Sequence, residues 1–313
     1  MRRLLVRRIL VSIVLLLVVS ALSFVLVSLT PGDPARQILG MQADPGQYVA
    51  LRHTLGLDEP VYQQYFHWIR HAVRGDLGRS IFSSEDVRRA IDSRLPVTLS
   101  LMFGALFVSV VAGLGLGTIS ALRGGLAGRL VDALALLGFS IPAFWLAAEL
   151  IALFAVRFTL FPPTGYVPFT QSPTGWARAL TLPVLALAVG GMAAIAKQTR
   201  ESLLDVLGSE YIRMAWANGL AWRSIVFRHA FKNMAPPVLA VVGVQAVSLL
   251  GGTVLVENVF ALPGLGSLAV QATIQHDIPV VEGLAVYFTV IVVMISVSVD
   301  LAYGLLNPRL RIQ

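Results

Sequence analysis

Six apolar stretches decide what this chain can become: Ile9–Leu29, Val97–Leu122, Leu130–Val156, Leu180–Ala196, Pro237–Val256 and Leu284–Leu306. A helix rising about 1.5 Å per residue needs about 20 apolar residues to cross a hydrocarbon core of about 30 Å. Each stretch is close to that length or longer, and none alternates with the period of two that a barrel strand would show. Hydrophobic residues are 56% of the 313 and charged residues 13%, about half the ~25% charged share of a soluble protein. A soluble core cannot hide so much apolar surface, whereas a bilayer can. The expected fold class is an all-α integral membrane protein with six transmembrane helices.

Arginine and lysine in the connecting segments set the direction of the spans. The leading MRRLLVRR holds four, Arg123 and Arg129 follow the second span, six lie between Lys197 and Lys232, and Arg309 and Arg311 close the chain. These fourteen fall on one side, which the rule makes the cytoplasm, so both termini are expected inside. Across the membrane, Arg157 and Arg178 flank the segment between the third and fourth spans, and the segment between the fifth and sixth has no basic residue. The Thr30–Pro96 loop carries eight basic and eight acidic residues and is too long for the rule to govern. The basic start and apolar run of the first span also suit a signal peptide. Its length of about 21 residues and the lack of a small-x-small site before TPGDPA favour a retained anchor. The organisation is then residues 1–29 as terminus and first span, 30–96 as an extracytoplasmic loop, and 97–313 as a five-helix core with a cytoplasmic loop at 197–236.

The outer loop is polar yet organised. Pro60–Arg74 aligns Val61, Tyr65, Trp68, Ile69 and Ala72 on one helical face, as expected of a helix that lies on the membrane or caps the bundle. GDLGRS at 75–80 reads as a turn. Ser84–Leu95 reads as a second short helix, closed by Pro96, which opens the next span. Gly113, Gly115, Gly117, Gly190, Gly191, Gly251 and Gly252 crowd the spans, where small residues let helix backbones approach.

The segment between the fourth and fifth spans, KQTRESLLDVLGSEYIRMAWANGLAWRSIVFRHAFKNMAPP, is long for a connection in a compact fold. Ser202–Leu207 and Tyr211–Asn218 read as helices, and Gly219 stands where a helix stops at a positive φ. From Trp222 to Met234 the helical period resumes through Ile225, Phe227 and Phe231. Such a helix–turn–helix can offer a knob to a soluble partner or pack upon itself.

Chemistry of other kinds is missing. There is no cysteine, which excludes disulfides and thiolate metal sites, and no His-Glu-x-x-His motif. His67 and His71 share a helix face but make only two ligands, so no metal or other cofactor is expected. PGLG at 263–266 lacks the Lys-Ser/Thr of a phosphate loop, so this chain is not expected to hydrolyse ATP. The net charge of +7 sits between apolar runs without stacking aromatics, which excludes a nucleic-acid partner. Among ionisable residues only Glu149 falls well inside a predicted span. There it faces either a translocation path or a neighbouring helix. Asp132 and Asp300 sit near cytoplasmic span ends, within reach of water or arginine.

The chain resembles the inner-membrane permease subunits of binding-protein-dependent ABC importers, in their dipeptide, oligopeptide and nickel branch. The likeness runs through PGDPA (31–35), LGLDEPVYQQY (55–65), GDLGRS (75–80) and RLPVTLSL (94–101). It continues in YIRMAWANGL (211–220), RHAFKNMAPPV (228–238), ENVFALPGLGSLAVQA (257–272), DIPVVEG (277–283) and DLAYGLLNPRLR (300–311). The wider superfamily has Glu-Ala-Ala, three residues, then Gly in its coupling loop. Registered on Gly219, this chain has Arg213-Met214-Ala215, so the usual glutamate contact is missing. The resemblance implies a type I importer permease fold in the cytoplasmic membrane. It gives Tyr211, Arg213, Ala215, Ala217 and Gly219 to a helix that docks on an ATPase. It also implies the partners: a second homologous permease subunit, two ATPase subunits, an extracytoplasmic substrate-binding protein, a peptide cargo and the lipid bilayer. Near relatives carry nickel chelates, glutathione or other small solutes. A secondary transporter acting alone is the reading from another class, but one intramembrane carboxylate makes no proton relay.

Overall fold

The computed structural model describes residues 2–29, 32–40 and 44–306, which are helical apart from turns, loops and one isolated bridge between Arg79 and Asp86. The Arg309–Arg311 tail and the first residue of the PGDPA motif lie outside the described residues. The chain forms two compact units, Met1–Thr98 with Pro263–Val293 and Leu99–Leu262 with Met294–Gln313.

Among the described residues, thirteen α-helices follow in chain order. They are α1 Arg2–Leu29, α2 Pro34–Leu39, α3 Pro45–Thr54, α4 Val61–Ala72, α5 Val87–Arg123, α6 Gly125–Ser140, α7 Ala143–Leu150, α8 Pro173–Leu207, α9 Glu210–Ala217, α10 Trp222–Ser224, α11 Phe231–Val259, α12 Leu265–Gln275 and α13 Ile278–Leu306. α7 runs on as π-helix from Ile151 to Arg157, and a second π turn, Ile225–Ala230, joins α10 to α11.

Five continuous helical runs are long and apolar enough to cross a membrane: Leu10–Leu29, Val87–Arg123, Pro173–Leu207, Trp222–Val259 and Ile278–Leu305. The third predicted span, Leu130–Val156, is not continuous. It breaks between α6 and α7 at Ile141, whose φ of −91° and ψ of 117° are extended. Pro142 is the cause, because a proline ring excludes the α region for the residue before it.

Two predicted boundaries are corrected. Pro96 does not end a short outer helix, since α5 runs through it for 37 residues from Val87. The helix is held on both sides of the missing N–H. The Tyr287 hydroxyl donates to Asp92 Oδ1 at 2.7 Å, and Thr98 Oγ1 accepts from Leu265 N at 2.8 Å. Ser202–Leu207 is likewise no separate helix but the last turns of the 35-residue α8.

In the second unit α8 is central, packed by α6, α7 and α11, and 67% of its most apolar window is buried. Close packing explains some glycines. A Cβ on Gly113 would stand 2.8 Å from the Ile195 side chain, and one on Gly191 would stand 2.8 Å from Ser109 Oγ. Gly115 and Gly251 have nothing within 4 Å and play no such part in the chain itself.

Candidate functional site

Helix α9 is the predicted knob, found within a residue of the expected Tyr211–Asn218. Its one buried residue, Ile212, anchors it. Asn233 Nδ2 donates to the Tyr211 hydroxyl at 2.8 Å, and Arg213 Nη2 donates to Gly208 O at 3.1 Å. Below it, Ala121, Leu203, Ala230 and Met234 form a buried cluster against which Val206, Leu207 and Phe231 pack. The knob therefore stands on the ends of α5, α8 and α11 rather than hanging from a loose loop.

Its end is built by Gly219, which has a φ of +78°. Gly219 N donates to Trp216 O at 2.9 Å and Leu220 N to Ala215 O at 3.2 Å. That is the paired closure of a Schellman motif, with glycine at the left-handed position. Of the five sequence-predicted residues, Tyr211, Arg213, Ala217 and Gly219 are exposed and Ala215 is half-buried. The sequence reading passed over the larger residues beside them: Met214 is 67% exposed and Trp216 70% exposed. Once Ile212 and Ala215 are taken as the anchored side of the helix, 3.6-residue spacing places Met214 off that side, so the signal was present in the period.

The motifs of the first unit meet one another. Asp33 of PGDPA caps α2 by accepting Ala35 N on Oδ1 at 2.9 Å, while its Oδ2 accepts Arg52 Nη1 at 2.8 Å and the Tyr48 hydroxyl. Arg52 Nε reaches Asp58 of LGLDEP at 3.0 Å. Burial pushes the Asp33 carboxyl up, but the Tyr48 hydroxyl, the Ala35 N–H and Arg52 together hold it below its ordinary value. Asp277 of DIPVVEG accepts Ser80 Oγ of GDLGRS at 2.5 Å and Ile81 N at 3.2 Å. Its neighbour His276 shares a 3.1 Å hydrogen bond with Gln37. A Cβ on Gly283 would press on Val87 Cγ1 at 2.6 Å.

Intramembrane acids differ from expectation. Glu149, in α7, is exposed on the second unit. Near helix ends, Glu257 in α11 and Glu282 in α13 are both fully buried. The predicted spans stopped at Val256 and began at Leu284, one and two residues short, which hid both. Asp132 meets Arg200 Nη1 at 3.4 Å, the arginine contact expected of it. His67 and His71 each face an acid of their own, Glu59 at 3.3 Å and Asp76 at 3.7 Å.

The fold is type I importer permease-like. It aligns with a chain of the MetNI methionine ABC transporter in an inward-facing conformation, at a TM-score of 0.57 and 22% identity, over 72% of this chain and 99% of that one. The family follows from sequence. Residues 113–312 match the binding-protein-dependent transport system inner membrane component, and residues 1–102 match the N-terminal component of such membrane proteins. The chain belongs to the binding-protein-dependent transport system inner membrane component family. A Brucella abortus protein bearing the name of a peptide transport system permease is 42% identical over 99% of each chain. The dipeptide transport system permease protein DppB of Bacillus subtilis is 38% identical over 100% of this chain and 99% of its own. The glutathione transport system permease protein GsiC of Escherichia coli is 38% identical over 98% of each.

Proposed function

We propose that this chain is one of two homologous permease subunits that enclose a path for di- and oligopeptides across the cytoplasmic membrane. The broken α6–α7 segment and its π continuation cross as the third of six spans, and both termini are cytoplasmic. The chain performs no chemistry of its own. Two ATPase subunits hydrolyse ATP, and an extracytoplasmic binding protein delivers the cargo. Alternating access is a two-state equilibrium biased by ATP and by the loaded binding protein.

The observation that carries this reading is α9: a short helix, braced at both ends, that presents Met214 and Trp216 to water. Large exposed apolar side chains on a rigid support suit docking, since they leave water when a groove closes over them. Tyr211, Arg213, Ala215, Ala217 and Gly219 form and steady that knob. Glutathione, itself a small peptide, is a second cargo favoured by the 38% identity to a glutathione permease.

The test is purification in mild detergent followed by reconstitution. Co-purified ATPase subunits and ATP-dependent uptake of labelled dipeptide, stimulated by the binding protein, are expected. Uptake by the chain alone, driven by an ion gradient, would instead make it a secondary transporter.

A further inference from the structure

The surface of α4 has more apolar face than the chain covers. Tyr65 turns toward α1, its hydroxyl 2.9 Å from Ser20 Oγ and its ring 5.6 Å from that of Phe24. Trp68 stacks on Tyr65 at 6.2 Å. Beside this contact runs a second apolar stripe at helical spacing, Tyr62, Phe66, Ile69 and Val73. Tyr62 is 61%, Phe66 63% and Val73 81% exposed. The flank about 100° round the helix from this stripe holds Gln63, His67, Arg70 and Arg74, and neither arginine has an ion pair among the described residues.

Depth decides what meets that stripe. Ser20 lies nine residues before the Leu29 end of α1, about 13 Å along the axis at about 1.5 Å per residue. A tyrosine hydroxyl that touches Ser20 is therefore alongside the apolar span, not above it. The far side of α1 from this contact is itself exposed and apolar, with Leu22 and Leu26 each 56% accessible. In a helix beside a span, aromatic residues toward the acyl chains and basic residues away from them make an interfacial pattern.

We propose that α4 is a membrane-interface anchor: its Tyr62–Phe66–Ile69–Val73 stripe sinks into the outer leaflet at the headgroup–acyl boundary, and Arg70 and Arg74 face lipid phosphates. The choice of leaflet rests on the orientation proposed above, while burial in lipid does not. An anchor there fixes the height of the α2–α4 segment above the membrane, and with it the surface that a binding protein would meet.

The chain has no cysteine, so single nitroxide labels can be placed by substitution. The full chain with its partner subunits would be reconstituted in nanodiscs and labelled at Tyr62→Cys, Phe66→Cys, Val73→Cys and, as polar-face references, Gln63→Cys and Arg70→Cys. The ratio of collision with oxygen to collision with a water-soluble nickel chelate is expected to be about threefold or more higher at 62, 66 and 73 than at 63 and 70, as for a helix with one face in lipid. Equal ratios on both faces would put α4 in water and overturn the proposal. Exclusion of both reagents from 62 and 66 would overturn it too, by showing that protein covers the stripe. Lipid contact at these positions with failed peptide uptake would overturn the transport reading and leave the anchor standing.

Discussion

Replacing Gly219 by valine isolates the backbone's share of the proposed coupling helix. The residue has a φ of +78°, and a Cβ added there would find nothing within 4 Å. No clash competes with the conformational cost, which for an L-residue in the left-handed region is about 1–2 kcal/mol. A β-branched side chain sits at or above the upper end. That energy acts on the Schellman closure from Gly219 N to Trp216 O and Leu220 N to Ala215 O, so the ratio of intact to frayed helix ends should fall roughly 5–30-fold. Ile212 and the Asn233–Tyr211 bond still hold the other end, and membrane insertion should be unaffected. The expected phenotype is full-length, assembled protein with dipeptide uptake and substrate-stimulated ATPase activity reduced together, or ATPase activity cycling without uptake. Gly219→Ala should show a smaller loss, and Gly219→Asn a near-normal rate, because asparagine enters the left-handed region readily. The assay is uptake and ATP hydrolysis in proteoliposomes containing the partner subunits. Wild-type uptake and stimulation in the valine variant would refute both the strain argument and the coupling role.

In intact cells, a single cysteine at Ser83 should react with an impermeant maleimide and one at Asn218 should not; the reverse pattern would invert the proposed topology. Arg52→Ala removes one of the groups that hold Asp33, a half-buried pair still open to solvent screening, and should cost about 1 kcal/mol, read as faster proteolysis within α2–α3. The depressed Asp33 carboxyl contributes stability above its ordinary value of 3.8 and loses it as pH falls through its lower folded value. Proteolysis of the α2–α3 segment should therefore accelerate below about pH 4, and Asp33→Asn should flatten that acid limb. Gly113→Leu forces a side chain onto Ile195 and should lower thermal stability by about 1–3 kcal/mol, whereas Gly115→Leu, with nothing within 4 Å, should be near neutral.

What could be read from the sequence divides by the range of the interaction. Hydropathy over long windows located five of the six expected spans as continuous helical runs, because bilayer crossing is set by the length of a local run. The Gly219 stop was legible because only a few residue types suit a positive φ. Proline was misread twice, in opposite directions. At Pro96 long-range contacts from Tyr287 and Leu265 keep a helix going through a residue that usually starts or stops one. At Pro142 the preceding Ile141 turns extended and the helix breaks. Glu257 and Glu282 stand at the polar ends of apolar runs, and their full burial is visible only in the fold. The pairing of Asp277 with Ser80, 197 positions apart, leaves no trace in local pattern at all.

Glu149 carries the last prediction. Within α7 it is flanked on the accessible surface by Phe144, Trp145 and Leu153. Among the described residues it has neither a hydrogen bond nor an ion pair. An ionised carboxylate facing acyl chains is expensive, on the order of 2.5–3.5 kcal/mol at mid-membrane, and no described residue offsets it. The proposed partner is either water in the proposed translocation path or a group of the proposed second permease subunit. The two cases separate cleanly under Glu149→Gln. If the carboxylate lines the path, where it would attract the amino end of a peptide, the subunits should assemble normally while peptide uptake falls. If it reaches across to the second subunit, the glutamine should weaken assembly first, seen as loss of that subunit during size-exclusion in detergent. Uptake and assembly both unchanged, with a lower melting temperature, would return Glu149 to a structural role and remove it from the path.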